Sequence, residues 1–127
     1  VRLFAEVIRE QGARTVLYLA WARRNSPEAQ VVLNEAAESI AKEVGAEIAP
    51  VGPAWERLRA TPGAPELFEA DGSHPTRAGS YLAACVFYAT LLGRSPAGPP
   101  APKGVGLTME QVGQIQALAW RAVQPTA

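Results

Sequence analysis

Thr15-Val16-Leu17-Tyr18-Leu19-Ala20-Trp21 is apolar at nearly every position and rich in β-branched and aromatic residues. Such a run reads as a strand of the parallel type, buried on both faces. The polar stretch Ala22-Arg23-Arg24-Asn25-Ser26 follows as a turn. Ser26-Pro27 is a strong helix start, because serine caps and proline fits the first turn. The predicted helix runs from Pro27 to Val44, with Leu33, Ala36, Ala37, Ile40, Ala41 and Val44 on one face and Gly45 as its stop. Ala46–Val51 then reads as a second, weaker strand. Strand, helix and strand with short connections make a βαβ unit with a right-handed crossover. This unit decides the class as α/β.

Upstream, Leu3, Phe4, Val7 and Ile8 recur at helical spacing between Arg2 and Gln11, with Gly12 as a stop. Downstream, Gly52 to Asp71 is a looser region broken by Pro53, Pro62, Gly63 and Pro65, with one or two helical turns expected from Trp55 to Ala60. Thr76 can cap a helix to Leu92 closed by Gly93. The small residues Ala78, Gly79, Ser80, Ala83 and Ala84 suit it to close packing against a sheet. Ser95 to Gly106 is a Pro/Gly-rich connection. Thr108 with Gln111 forms a capping-box pattern for a last helix.

The 127 residues suffice for one domain, and 48% of them are hydrophobic, a globular composition. The predicted organisation is a main unit over 1–94, the connection over 95–107, and a C-terminal helix of the same domain over 108–127. Twelve basic and twelve acidic residues give no net charge, and no basic patch occurs. Nothing here recommends a nucleic-acid partner. No apolar run is long enough to span a membrane. The single cysteine, Cys85, sits among Ala84, Val86 and Phe87 and reads as a small buried hydrophobe. Asp71 and His74 alone make a poor metal site. The chain opens at Val1 inside a helix, so a preceding segment, with any targeting signal, is expected to be missing, and the compartment is unknown.

The chemistry concentrates in Asp71-Gly72-Ser73-His74-Pro75. A histidine in a loop beyond a strand's carboxyl end can serve as general base if a partner fixes its tautomer. A carboxylate three residues upstream, on a turn that Gly72 permits, can reach Nδ1 and also stabilise the imidazolium. The competing reading is a surface histidine beside an ordinary Asp-Gly turn. Trp21 and Trp55 fall at the same carboxyl end of the strands, as candidates either for a substrate pocket or for the core. Arg23 and Arg24 read as solvated.

This segment resembles the last motif block of SGNH/GDSL hydrolases, a D-x-x-H-P pattern. The surroundings agree: a strand, a helix and a strand precede it, and a helix rich in small residues follows. The resemblance covers about Leu3 to Leu92. It implies a flavodoxin-like three-layer α/β/α sandwich with a parallel sheet, its N-terminal strands missing from this chain. It also implies a serine esterase or acyl hydrolase acting on a small-molecule, carbohydrate or lipid ester, such as an acetyl or other acyl ester. His74 would be base and then acid, Asp71 would orient it, and no cofactor or metal is implied.

The family's G-D-S nucleophile block, its oxyanion glycine and its G-x-N-D block do not occur and would lie upstream of Val1. The five serines offer no substitute. Ser26 reads as a cap, Ser39 and Ser80 as helix positions, Ser95 as linker, and Ser73 adjoins His74 too closely. An acyltransferase on the same scaffold, or a non-catalytic α/β binding module in which Asp71 and His74 belong to a structural turn, are the alternatives. A strand run this apolar expects a neighbour on each edge, so an unpaired, association-prone edge is also expected.

Overall fold

The apolar run at residues 15–21 forms strand only in its middle. The computed structural model describes residues 1–125. Within them β1 (Val16–Tyr18) pairs in parallel with β2 (Glu47–Ala49), in the register Val16–Glu47, Leu17–Ile48 and Tyr18–Ala49. Past β1, Leu19 N–H still donates to Ala49 O at 3.1 Å. The next backbone groups are taken by a side chain. Gln30 Nε2 donates to Ala20 O at 3.2 Å, and Gln30 Oε1 accepts from Ala22 N–H at 2.8 Å. A buried amide thus satisfies the backbone where the strand ends.

The remaining elements are α1 (Arg2–Glu10), α2 (Ala29–Val44), α3 (Val51–Arg59), α4 (Arg77–Leu92) and α5 (Met109–Val123). The architecture is mixed α/β, with five helices and a two-stranded parallel sheet among the described residues. Several boundaries differ from the sequence expectation. α2 starts at Ala29 and not Pro27, because Ser26 contributes its carbonyl, accepting from Ala29 N–H at 3.1 Å, and no side-chain cap forms. β2 stops at Ala49 and Val51 opens α3, a nine-residue helix where only a turn or two was expected. Pro53 read as a breaker, but it falls in the first turn, where a backbone N–H has no helical partner to lose. Thr76 and Thr108 do cap α4 and α5, the latter with a reciprocal capping box. α5 ends at Val123, and the last two positions of the expected 108–127 helix lie outside the described residues.

The core centres on α3, α4 and α5. Trp55 and Leu58, Leu67 and Phe68, Leu82 and Val86, and Ile115 and Ala119 form one buried cluster. Gly79 shows how closely α4 approaches it. The helix had read as suited to packing on a sheet, but a Cβ at Gly79 would lie 2.6 Å from both Leu67 O and the Trp55 ring. We expect Gly79→Ala to destabilise the protein by about 1–3 kcal/mol through overpacking. Gly113→Ala on α5, whose Cβ would meet nothing within 4 Å, should stabilise it by up to about 1 kcal/mol. Urea unfolding midpoints of the two variants, moving in opposite directions, test this account.

The opposite side is less covered. Among the described residues β1 pairs with β2 alone, Tyr18 is half exposed, and the apolar stripe of α1 faces solvent, with Leu3 79% and Phe4 77% exposed. An open strand edge beside exposed apolar side chains is a template for association. Light scattering is expected to show concentration-dependent association that Phe4→Lys reduces. A monodisperse monomer at high concentration would contradict it.

Candidate functional site

The residues from Phe68 to Pro75 form a tight hairpin. Phe68 and Pro75 make an antiparallel bridge. Glu69 N–H donates to His74 O at 2.8 Å and Thr76 N–H to Leu67 O at 2.9 Å. At the tip, Gly72 N–H donates to Glu69 O at 2.9 Å, and Gly72 adopts φ +67°, the left-handed region that a side chain would disfavour. Thr76 closes the hairpin from the other side. Its hydroxyl donates to Glu66 O at 2.7 Å and accepts from Gly79 N–H at 3.1 Å, so α4 begins directly behind His74-Pro75.

Within this hairpin Asp71 turns back onto the chain that follows it. Its Oδ1 accepts from the Ser73 and His74 amides, each at 2.9 Å, while Oδ2 meets His74 Nδ1 at 2.5 Å. The His74 ring hydrogen bond, with the two amides, holds the Asp71 carboxyl below the usual carboxylate range. An ionised carboxylate is an acceptor only, so Nδ1 carries the proton and donates. Among the described residues this is the one side-chain hydrogen bond of the imidazole. The His74 side chain is 79% exposed. The pair is therefore oriented by bonding and accessible to a ligand.

The β1–α2 connection holds the hairpin from outside. Trp21 Nε1–H donates to Ser73 O at 2.9 Å, and Arg24 N–H donates to Gly72 O at 2.9 Å. Trp21 stacks on Trp55, with centroids 4.0 Å apart and planes within 10°. Trp55 is only 2% exposed and meets Phe68 edge-on at 5.1 Å. Of the two tryptophans considered for a substrate pocket, Trp55 is thus a core residue. It reaches the site only through the half-buried Trp21, because α3 extends to Val51 and carries it inward. Its own Nε1 is buried with no hydrogen-bond partner among the described residues.

Arg23 is exposed, as read from the sequence. Arg24 is not merely solvated. Its guanidinium lies 3.2 Å from Glu66 and 5.2 Å from the centre of the Phe68 ring, which Arg59 also approaches at 4.9 Å. Neither Arg24 nor Gln30 announced itself in the sequence, since polar residues in a turn or on a helix have no distinguishing period. Cys85 is buried, and desolvation pushes its thiol upward. Among the described residues no group of three His, Cys, Asp or Glu residues is placed to hold a metal ion, and no helix is long and apolar enough to cross a membrane.

Comparison with protein-family models, with curated proteins and with solved structures gives no match.

The Asp71–His74 contact has a pH signature. A carboxylate whose folded pKa is depressed contributes stability that is present above its unfolded value of ~3.9 and is lost as pH falls through the lower, folded value. His74 is the only histidine in the chain, so its ring signals are unambiguous in NMR. The Asp71 carboxyl carbon is expected to titrate well below ~3.9, and the His74 ring signals should move with it. A carboxyl midpoint at the ordinary value would mean that the contact does not hold in solution.

Proposed function

We propose that this chain provides the acid–base half of a serine ester hydrolase, on a flavodoxin-like scaffold of the SGNH type. The observation that carries the reading is Asp71 Oδ2 bonded to His74 Nδ1 on a backbone-locked hairpin that leaves the imidazole exposed. In this mechanism a seryl hydroxyl, outside these 127 residues, attacks the ester carbonyl carbon while His74 Nε2 takes its proton. The imidazolium then protonates the departing alkoxide, leaving an acyl-enzyme. Water repeats the sequence, with His74 again base and then acid, and releases the carboxylic acid. Asp71 keeps the proton on Nδ1 and opposes the charge formed on the ring. An alcohol in place of water would make the same site an acyltransferase.

A second reading has its own support. Asp71 Oδ1 accepts two amide hydrogen bonds within the hairpin, so the aspartate stabilises the turn whether or not the histidine reacts. In that case the chain is a binding module and His74 is dispensable.

Activity separates the two. The 127-residue chain is expected neither to hydrolyse a short-chain aryl ester at an enzymatic rate nor to be labelled by a fluorophosphonate, because nucleophile and oxyanion donors supply most of such a rate. Stoichiometric labelling of one of its five serines would overturn the idea of an outside nucleophile. A longer protein that carries this chain together with the seryl nucleophile should hydrolyse the ester. There His74→Ala and Asp71→Asn should each lower kcat by about 10,000-fold or more. Unchanged turnover in His74→Ala would leave only the binding module.

A further inference from the structure

Beyond the Asp71–His74 hairpin, α4 carries a second feature. The Pro/Gly-rich segment between α4 and α5 lies back over the helix, tied to α4 through Arg77 and to α5 through Gln116. Arg77 Nη1 donates to Gly104 O at 2.8 Å. The buried Gln116 Nε2 donates both to Pro99 O at 2.8 Å and to the Tyr81 hydroxyl at 2.9 Å. Two open cavities remain along this strap. One, of about 550 Å³, is lined by Arg77, Ser80, Tyr81, Ala84 and Lys103 among others. The other, of about 210 Å³, is lined by Tyr81, Ala84, Cys85, Tyr88, Pro96 and Pro99 among others. Tyr81 and Ala84 belong to both, so the two adjoin along one face of α4.

Their chemistry differs. The larger cavity presents two cations, Arg77 and Lys103, neither of them ion-paired among the described residues, against the single carboxylate of Glu69. The bond to Gly104 O pre-sets the Arg77 guanidinium, which lowers the entropy lost on binding an anion. The smaller cavity is walled mainly by aromatic, proline, alanine and thiol groups, with the Gln116 amide among them. A cationic cavity that shares Tyr81 and Ala84 with a largely apolar one fits a molecule with an anionic head and a hydrocarbon tail.

We propose that this cleft binds an amphipathic carboxylate, with its head group on Arg77 and Lys103 and its alkyl chain running past Tyr81 and Ala84 toward Tyr88. Arg77 to Tyr88 spans roughly 16 Å at about 1.5 Å per helical residue, room for a medium-length chain. The proposal does not depend on His74 being catalytic.

The test is titration of the 127-residue protein with dodecanoate below its micelle concentration, followed by amide NMR. Saturable shifts are expected along Ser80–Tyr88 and residues 96–104, together with at least severalfold slower alkylation of Cys85. Lys103→Gln, a residue with no hydrogen bond to the fold, should weaken dodecanoate binding severalfold while leaving dodecanol binding unchanged. Ala84→Trp, filling the junction, should abolish both, with the fold verified by circular dichroism. Absence of saturable binding, an affinity indifferent to both variants, or shifts centred on the exposed Leu3, Phe4 and Val7 of α1 would overturn the proposal.

Discussion

The stacked pair Trp21–Trp55 is the joint on which the candidate site depends. A hairpin of eight residues that presents an ionised carboxylate and an exposed imidazole cannot bury itself, so its position has to be imposed from outside. Trp55 of α3 sits in the core with its ring against Gly79 of α4, Trp21 lies flat on it, and the Trp21 indole N–H reaches Ser73 O. One continuous path of ring on ring and donor on carbonyl therefore runs from the best-packed part of the molecule to the backbone beside His74. Arg24 adds a second tie at Gly72. The hairpin's own hydrogen bonds fix its shape, and these two residues fix where that shape stands.

The sequence displayed much of this, but unevenly. Patterns that depend on a few neighbouring residues were legible. The capping threonines at 76 and 108, the left-handed glycines at 45 and 93, and the three-residue reach from Asp71 to His74 all follow from local geometry. The βαβ order of β1, α2 and β2 was readable from apolar runs and stops. Features set by distant contacts were not. Nothing in Thr15–Trp21 tells that Gln30 will take over the backbone at Ala20 and Ala22. Periodicity marked the stripe of α1 as a helix face, yet could not say that it would be exposed. Arg24 looks like any turn arginine until Glu66 and Phe68 are brought beside it.

Local and tertiary forces also divide the labour at α4. Thr76 ends the hairpin and starts the helix with one hydroxyl. Gly79, one turn later, lets the helix settle against Trp55 and Leu67 O. The same short stretch thus sets the direction of the helix and its depth, and His74 inherits both.

The Asp71-Gly72 bond has a consequence for how the protein ages. In a flexible chain an aspartyl-glycyl pair cyclises readily, the glycine nitrogen attacking the side-chain carboxyl carbon to give a succinimide that reopens mostly as isoaspartate. Here the Gly72 nitrogen is engaged with Glu69 O, and the Asp71 carboxyl is drawn forward onto the Ser73 and His74 amides and the imidazole. Nucleophile and electrophile are each held by hydrogen bonds to other groups. Folding restrains both groups, and ring closure at this bond is expected to be slower in the folded chain than in an unfolded one.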